Sequence, residues 1–408
     1  MKPRHLLPHL QRLLGHFPCV AVFGARQCGK TTLLGALSGE WLRLDMESAA
    51  DRSQLLAEPD TFFRLHPQAV IIDEAQLAPA VFPALRVAID RDRARKGRFV
   101  LSGSSSPELV RRIAESLAGR IGLAELSPFS LGEAWQCGPS PVFAALGARA
   151  GPPALMAAAA PRVDLRQLRD HWFDGGYPEP WLDADAEFRR LWHRNYFDTY
   201  LLRDIGALFP QLNRDRFRQF IQMLAHVSGS ILNNAEIARS LGVSEPTVRD
   251  WLGIATGTYL WRHLPAWDRS PHKQLVRHPK GFMRDSGMLH RLLRIECADD
   301  LATHPAAGRS WEAYVAEMLL RGFAEAGMAA TPFHYRTRGG AEIDLIIEGD
   351  CGVLPVEIKL GATVPPRSLR SLEEFIAMHD CPLGLVVCND EKPRRLSERI
   401  VAIPAASL

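Results

Sequence analysis

Residues 20–32 read VAVFGARQCGKTT, and the fold of the first third of the chain can be worked out from them. A short apolar run ends at Gly24, and the spacing Gly-x-x-x-x-Gly-Lys-Thr follows from Gly24 to Thr31. The next residues, TLLGAL, are compatible with a helix. A strand, a glycine-rich loop and a helix in this order are the context that a phosphate-binding P-loop requires.

Each residue type in this loop suits the binding of phosphate or of Mg²⁺. Gly24 and Gly29 allow the backbone to curl so that successive N–H groups point at phosphate oxygens. The start of the following helix adds its positive end, Lys30 supplies a mobile cation, and the Thr31 hydroxyl is a ligand for Mg²⁺. We therefore expect ATP and Mg²⁺ to bind here, with a glycine-rich turn and a chance lysine as the alternative. The expected nucleotide-binding residues are Gly24, Ala25, Arg26, Gln27, Cys28, Gly29, Lys30, Thr31 and Thr32.

A second apolar run, at 70–72, is followed directly by Asp73 and Glu74. Because the carboxyl ends of strands in an open α/β sheet face the ligand crevice, we expect both acids beside the P-loop. We assign Asp73 to Mg²⁺, held through water, and Glu74 to polarising the water that attacks the γ-phosphate. The alternative is that the two acids only begin a helix, where carboxylates are common.

A third apolar run, at 99–101, ends in a serine cluster, SGSSS. A polar side chain at this point can sense the γ-phosphate and orient water. Ser104 or Ser102 is therefore a candidate for that catalytic role. The alternative is a serine-rich turn that caps the next helix.

Three arginines follow the serine cluster, at 111, 112 and 120. An arginine that reaches the nucleotide of a neighbouring subunit stabilises the charge of the transition state. Arg120, in an Ala-Gly-Arg turn, is the best candidate for this role, and a homo-oligomer is the assembly that it requires. For Arg111 and Arg112 we favour a solvated helix face.

The apolar runs of the first 137 residues are separated by helical stretches, which predicts a parallel sheet with helices on both faces. The five runs lie at 20–23, 41–44, 70–72, 99–101 and 121–126. Residues 138–162 are rich in Gly, Pro and Ala and are interpreted as a linker or a variable excursion. The chain then reads as helical to about 230, and an α/β pattern returns at 309–400.

The chain resembles the prokaryotic AAA-type ATPases that carry a C-terminal domain of unknown function. The resemblance rests on GARQCGKTTLL, VIIDEAQ, FVLSGSSS and SLAGRIGLAELSPFSLGE. It continues through GGYPEP (175–180) and YFDTYLLRDI (196–205) into the last third. It implies an ATPase core in which Lys30, Asp73 and Glu74 take the nucleotide and hydrolysis positions.

Residues 233–252, NNAEIARSLGVSEPTVRDWL, have the spacing of a helix-turn-helix. Gly242 ends the first helix, and Ser244 caps a second one that carries Arg249. The segment TYLWRHLPAW is expected to pair as a wing. We expect DNA phosphates to contact the basic stretch around it, with protein packing or an ATPase lid as the alternative. The basic residues of this stretch are Arg262, Arg269, Lys273, Arg277, Lys280 and Arg284.

Residues 335–359, YRTRGGAEIDLIIEGDCGVLPVEIK, contain the acids and the lysine of another site. Asp344 opens one apolar strand, and Glu357 and Lys359 lie two residues apart on the next, hence on one face. With Glu312 on an upstream helix, this set resembles the PD-(D/E)xK nuclease fold. The carboxylates would bind a divalent metal, and Lys359 would stabilise developing charge. The alternative is ordinary alternation of strand polarity.

These patterns together predict an α/β protein of three domains. We expect a parallel-sheet, AAA-type ATPase domain at 1–137, a helical and winged-helix region at 163–300, and a small nuclease-like α/β domain at 305–408. The predicted function is a Mg²⁺-dependent ATPase that acts on DNA, with a metal-dependent nuclease as a further activity. The alternative is an ATP-driven regulatory or protein-remodelling switch, whose other domains only bind partners.

The composition of the chain indicates which partners and which cellular compartment to expect. The net charge of +3 over 408 residues is too small to indicate a polyanionic partner by itself, so a nucleic acid surface has to be local. The seven cysteines form no C-x-x-C pair and none has histidines at zinc spacing, which favours a reduced, cytoplasmic protein. We find neither a signal peptide nor an apolar run long enough for a bilayer, so no membrane partner is expected.

Overall fold

The computed structural model describes residues 2–104, 113, 115–200, 205–206, 209, 211–267, 278–337 and 339–408, with only the backbone of Ser104. The contacts within the chain divide it into two compact units. One contains Arg4–Pro128 with Gly257–Tyr259. The other contains Phe129–Thr256 and Leu260–Leu408 with the N-terminal residues up to Pro3.

The first unit is built on a five-stranded sheet in the order β2-β3-β4-β1-β5, with every strand parallel to its neighbours. Each of the five predicted apolar runs forms one of these strands, so the parallel α/β sheet is confirmed. The elements are α1 Leu7–His16, β1 Cys19–Gly24, α2 Lys30–Gly35, β2 Leu42–Asp45, α3 Ala49–Ala57, α4 Pro59–Leu65, β3 Val70–Asp73, α5 Val81–Arg91, β4 Phe99–Ser104 and β5 Ile121–Glu125.

The central position of β1 follows from its sequence. All six residues of CVAVFG are buried, as a strand with neighbours on both sides and packing on both faces requires. The register pairs Gly24 with Ser104 and places Asp73 at the same end of the sheet as the end of β1. The polar residues that follow the strands therefore meet at one edge.

The second unit is mostly helical in its first half. Its helices are α6 Leu131–Trp135, α7 Pro141–Gly147, α8 Pro152–Ala158, α9 Leu165–Asp174, α10 Pro178–Leu182, α11 Ala186–Thr199, α12 Arg214–His226, α13 Asn234–Leu241, α14 Glu245–Gly257, α15 Ser286–Leu292, α16 Ala298–Thr303, α17 Ala307–Ala326 and α18 Pro366–His379. A three-stranded antiparallel sheet, β6-β8-β7, is formed by Ser230–Ile231, Lys280–Met283 and Trp261–Leu264.

A mixed six-stranded sheet forms the last part of this unit. Its strands are β9 Ala330–Arg336, β10 Glu342–Gly349, β11 Gly352–Ile358, β12 Gly384–Cys388, β13 Arg394–Arg395 and β14 Ile400–Pro404. The order is β13-β14-β12-β11-β10-β9, with β9, β10 and β11 antiparallel and β12 parallel to both β11 and β14. The helix α18 connects β11 to β12, as a parallel crossover requires.

The linker interpretation of residues 138–162 is wrong. This stretch contains α7 and α8, each with proline in its first turn, and Ser140 caps the first of them. Val142 and Leu155 are fully buried, and the ring of Phe143 packs edge-on against Phe323 of α17 at 5.5 Å. Pro and Gly mark helix ends here, while the apolar residues between them supply core contacts that composition alone does not reveal.

Among the described helices, none combines the length and the apolar character that crossing a bilayer requires.

The packing of α7 on α17 leaves no room for a side chain at Gly322. A Cβ atom there would lie 1.9 Å from the Phe143 ring. We therefore expect Gly322→Ala to lower the free energy of unfolding by about 1–3 kcal/mol through overpacking. Urea denaturation measures this change.

Gly308 lies on the same helix and is the matched control. A Cβ atom there meets nothing within 4 Å. Gly308→Ala should leave stability unchanged or raise it by up to about 1 kcal/mol, because alanine favours a helix over glycine. Equal effects of the two substitutions would contradict the packing of α7 in this core.

Candidate functional site

The loop between β1 and α2 is curled by its glycines, as the sequence predicts. Gly29 has φ of 97°, a conformation that other residues adopt only with strain. Gly24 has no space for a side chain, because a Cβ atom there would lie 2.1 Å from the Leu126 carbonyl oxygen. The thiol of Cys28 is fully buried and donates to the same carbonyl at 3.3 Å, and burial raises the pKa of this thiol. Cys28 therefore supports the loop through its buried thiol, which is not a reactive group.

The side chain of Lys30 is buried inside the curl of this loop. Its ammonium group donates to the carbonyl oxygens of Gly24 at 3.1 Å and of Ala25 at 3.0 Å. The cation thus lies at the centre of the loop, where a phosphate group would pair with it. The residues present fit a nucleotide, because the loop offers a glycine-dependent curl, a buried cation and the start of a helix at one point.

Asp73 links the three central strands at their carboxyl ends. The Thr31 hydroxyl donates to Asp73 Oδ2 at 2.7 Å, and the buried Ser102 hydroxyl donates to Asp73 Oδ1. Two oxygen donors suited to Mg²⁺, one from α2 and one from β3, are therefore in contact beside the phosphate loop. Of the two serines considered as sensors, Ser102 reaches Asp73, whereas the side chain of Ser104 lies outside what the structure describes.

Glu74 has left-handed backbone angles, with φ of 50° and ψ of 45°. Such a conformation costs energy for a residue with a side chain and is found at functional sites. It begins a short 3₁₀ turn, Ala75–Leu77, and its carboxylate accepts a hydrogen bond from the Gln76 amide. The chain therefore leaves the direction of β3 at Glu74, directly after Asp73.

Arg4 is a site residue that the sequence analysis missed. Its guanidinium donates to the carbonyl oxygen of Cys28 at 2.6 Å and to that of Ser127 at 2.6 Å. It is buried, and a Cβ atom on Gly29 would lie 3.2 Å from it. Arg4 therefore ties the phosphate loop to the chain after β5. Nothing in its local sequence signals this, because its partners lie 24 and 123 positions away.

Arg120 is not brought to the phosphate loop of its own chain. It directly precedes β5, which runs parallel to β1, so it lies at the edge of the sheet opposite the loop. It forms a two-bond pair with Asp90, at 2.7 and 2.9 Å. An arginine finger at this position would have to act on another copy of the chain. Arg111 and Arg112 lie outside the described residues.

The second predicted site lies in the C-terminal sheet. The register that pairs Leu345 with Val356 puts Asp344 opposite Glu357 on the neighbouring strand. The ammonium group of Lys359 lies 2.6 Å from Glu357 Oε1 and 3.5 Å from Asp344 Oδ2. Burial and the Asp344 carboxylate raise the pKa of Glu357 to about 7. The structure therefore brings these three residues together.

Glu312, on α17, is the fourth residue predicted for this site. It is paired with Lys280, which the sequence analysis assigned to the basic stretch expected at DNA phosphates. Its carboxylate contacts the buried ammonium group of Lys280. Burial raises the pKa of Glu312 to about 8, with Asp344 contributing in the same direction. Within the described residues, the oxygens of Glu312, Asp344 and Glu357 do not all lie within 4.8 Å of one another. The donors suit a divalent cation by type, and each of the three carboxylates is paired with a lysine.

The helix-turn-helix residues form two helices, α13 and α14. Gly242 ends the first in a left-handed conformation, and the Ser244 hydroxyl accepts from the Thr247 amide in the first turn of the second. Arg249 is exposed on the second helix. The helix-turn-helix spacing thus corresponds to two helices with the expected break and cap.

Three of the basic residues expected near DNA phosphates, Arg262, Lys280 and Arg284, are paired with acids of the same chain. Arg262 binds Glu317 at 2.5 and 3.2 Å, Arg284 binds the same carboxylate at 3.3 Å, and Lys280 pairs with Glu312. These basic groups neutralise acids of the second unit, and Lys280 and Arg284 are themselves buried. Arg269, Lys273 and Arg277 lie outside the described residues.

The buried carboxylate of Glu317 should contribute to the free energy of unfolding in a way that depends on pH. It is 2% exposed, and Arg321 contacts it from the next turn at 3.8 Å. Burial opposes its ionisation, but Arg262, Arg284 and Arg321 outweigh this effect and lower the pKa of Glu317 from 4.5 to about 2. We expect Glu317→Gln to destabilise the protein by about 3–5 kcal/mol at neutral pH, because the arginines lose their counter-ion.

The pH dependence of this effect has a definite sign. Because the folded-state pKa is depressed, the stabilisation is complete above pH 4.5 and is lost as the pH falls towards 2. The difference between wild type and Glu317→Gln in urea denaturation should therefore shrink over that range. Glu373→Gln, on the exposed face of α18, is the control and should have no effect. A difference that stays constant down to pH 2 would contradict the role of the charge.

Comparisons with known proteins identify the kind of domain to which the first unit is similar. Three family models match the chain: an AAA domain at 16–135, a domain of unknown function (DUF8612) at 165–299 and a domain of unknown function (DUF4143) at 307–408. A Walker-type ATPase of Pyrococcus abyssi is similar over 71% of this chain and 95% of its own, with a TM-score of 0.44 and 16% identity.

Two uncharacterized proteins, from Mycobacterium tuberculosis and Mycobacterium bovis, are each 34% identical to this chain over 405 residues. The match covers 98% of this chain and 83% of each relative. The AAA match confirms the predicted P-loop ATPase domain, and the DUF4143 match agrees with the expected C-terminal domain of unknown function. The chain therefore belongs to the family of these mycobacterial proteins, with the AAA domain of a P-loop ATPase at its N-terminus and a DUF4143 domain at its C-terminus.

Proposed function

We propose that this protein hydrolyses ATP with Mg²⁺ at the loop between β1 and α2 and that it acts on DNA. The contact between Thr31 and Asp73, at 2.7 Å, carries the first part of the proposal. It joins a helix hydroxyl and a strand carboxylate beside a phosphate loop, which is the arrangement that P-loop ATPases use for the metal.

Each residue of the site has a part in this reaction. Lys30 pairs with the terminal phosphates, and the loop amides bind their oxygens. Thr31 and, through water, Asp73 would hold Mg²⁺, which would supply positive charge beside the phosphates. Glu74 accepts a hydrogen bond from the attacking water and takes its proton. Ser102 fixes the orientation of Asp73 through its hydroxyl.

The test separates binding from hydrolysis. We expect Glu74→Gln to lower ATP turnover by about 10²–10⁴-fold while nucleotide still raises the melting temperature. Lys30→Ala should abolish that nucleotide-induced stabilisation. Phosphate release and thermal melting measure the two effects.

Glu40→Gln is the matched control, since Glu40 is exposed in the same unit. It should leave both readouts unchanged. An unchanged thermal shift in Lys30→Ala would refute the nucleotide site. Full turnover in Glu74→Gln would refute only the assignment of Glu74 as the general base.

The proposed action on DNA is supported by the order of elements between 214 and 283. A helix, a short strand, two helices and two antiparallel strands follow one another there, as in a winged-helix fold. The exposed Arg249 lies on the second helix of the pair, the position from which a helix-turn-helix contacts DNA.

The internal pairing of Arg262, Lys280 and Arg284 favours the second candidate function. In that case the ATPase is a regulatory or protein-remodelling switch, and the winged-helix region serves for packing. Duplex DNA distinguishes the two. A higher rate of ATP turnover in the presence of DNA supports action on DNA. A rate that DNA leaves unchanged supports the switch.

A metal-dependent nuclease in the C-terminal domain is the further part of the proposal. It is supported by the approach of Asp344, Glu357 and Lys359 across β10 and β11, and by the helix-strand order around them. Asp344 and Glu357 would hold the metal, with Glu312 joining when it leaves Lys280. Lys359 would stabilise negative charge at the cleaved phosphate.

Plasmid nicking with Mg²⁺ or Mn²⁺ tests this activity. We expect Asp344→Ala and Lys359→Ala to lower nicking at least about tenfold below wild type, because metal binding and charge stabilisation are lost. Glu374→Ala, at an exposed position of α18, should match wild type. Equal background nicking in wild type and Asp344→Ala would exclude cleavage by this site.

A further inference from the structure

A cleft of about 680 Å³ lies between the helices α11, α12 and α15 of the second unit, and its lining includes none of the C-terminal acids Glu312, Asp344 and Glu357. Five arginines line it: Arg190, Arg194, Arg218, Arg291 and Arg294. The acids among its lining residues are Asp198 and Glu296. We call it the arginine cleft. Its lining therefore carries an excess of three positive charges, counted as five arginines against two acids.

Two of these arginines already have acidic partners. Arg218 donates to Asp198 at 2.6 Å, and Arg291 lies 3.6 Å from Asp174. Arg190, Arg194 and Arg294 are exposed and have no ion-pair partner in the part of the chain that the structure describes. Three guanidinium groups that converge on one cleft without counter-ions favour an anionic ligand with several oxygens, since each can bind a phosphate through two donors.

One of the residues that line the cleft has a buried polar atom without a hydrogen bond. His193 is 1% exposed, its Nδ1 is 2.8 Å from the Arg189 carbonyl oxygen, and its Nε2 is buried without a hydrogen bond. Since Nδ1 must donate to that carbonyl, Nε2 of the neutral ring is an acceptor. Burial lowers the pKa of His193, which keeps the ring neutral. A buried acceptor without a donor costs energy, and a ligand hydroxyl or amino group would satisfy it.

Apolar side chains complete the lining. Phe197 and Met288 are buried, and Leu292 is half-buried beside them. The cleft thus combines an arginine rim, one buried acceptor and an apolar wall. Its volume lies within the range of small-molecule sites, about 300–1,000 Å³.

We propose that the arginine cleft binds a free nucleotide, separate from the ATP at the phosphate loop. The phosphates lie against Arg190, Arg194 and Arg294, and a sugar hydroxyl or base amino group donates to His193 Nε2. The apolar wall packs against the base. This site would make the second unit a receptor for a nucleotide signal.

Calorimetry on the full chain tests the proposal. The Lys30→Ala protein is used throughout, so that the phosphate loop does not contribute and the comparison does not depend on the ATPase assignment. The probes are AMP, GMP, ADP, GDP, inorganic phosphate and a short single-stranded DNA. We expect at least one free nucleotide to bind more tightly than inorganic phosphate.

Substitutions locate the binding. Adding Arg194→Ala should weaken nucleotide binding at least about tenfold, because a charge-assisted hydrogen bond is lost. Adding Arg166→Ala, an exposed arginine of α9 outside the cleft, should not change it. Adding His193→Phe, with melting temperature checked, should weaken nucleotide binding and leave phosphate binding unchanged.

Three results would overturn the proposal. The first is the absence of nucleotide binding up to about 10 mM, which exceeds the weakest affinities of specific sites. The second is binding that Arg194→Ala leaves unchanged. The third is binding of DNA, or of inorganic phosphate alone, with the expected dependence on Arg194 while free nucleotides fail to bind.

Discussion

The nucleotide site depends on the two hydrogen bonds that Asp73 accepts. One comes from Thr31, at the start of the helix after the phosphate loop, and the other comes from Ser102 in the buried strand β4. Since β1, β3 and β4 lie parallel in one sheet, their carboxyl ends open onto one edge, where Asp73 of β3 connects β4 to the helix that follows β1. The position of Asp73 beside the phosphate loop is thus fixed by sheet register as well as by the loop motif.

Support for the phosphate loop comes from both ends of the first unit. Arg4 binds the loop carbonyl of Cys28 and the carbonyl of Ser127, while the Leu126 carbonyl lies so close to Gly24 that no side chain fits. A side chain before β1 and backbone carbonyls after β5 therefore hold the curl before any ligand arrives. A preformed loop loses less entropy on binding than a mobile one, which is the general advantage of preorganisation.

In the second unit, buried acids determine which basic residues remain free. Glu317 takes Arg262 and Arg284, and Glu312 takes Lys280, because a buried carboxylate without a partner would be expensive. Three arginines without an ion-pair partner in the described residues, Arg190, Arg194 and Arg294, lie instead at the cleft beside His193. Counting basic residues along the sequence mixes these two groups, which differ in what they can bind.

The sequence by itself determined the parallel sheet, the curl of the phosphate loop and the position of Asp73 and Glu74, because these follow from local spacing and strand order. It also indicated the approach of Asp344, Glu357 and Lys359, since alternation along adjacent strands is local. Only the tertiary structure decided that Arg4 supports the loop, that Arg120 faces away from it, that Lys280 pairs with Glu312, and that residues 138–162 belong to a core. Those outcomes depend on contacts between residues far apart in the chain. The free energy of burying a charge or a ring depends on its partners, and a local sequence pattern does not identify them.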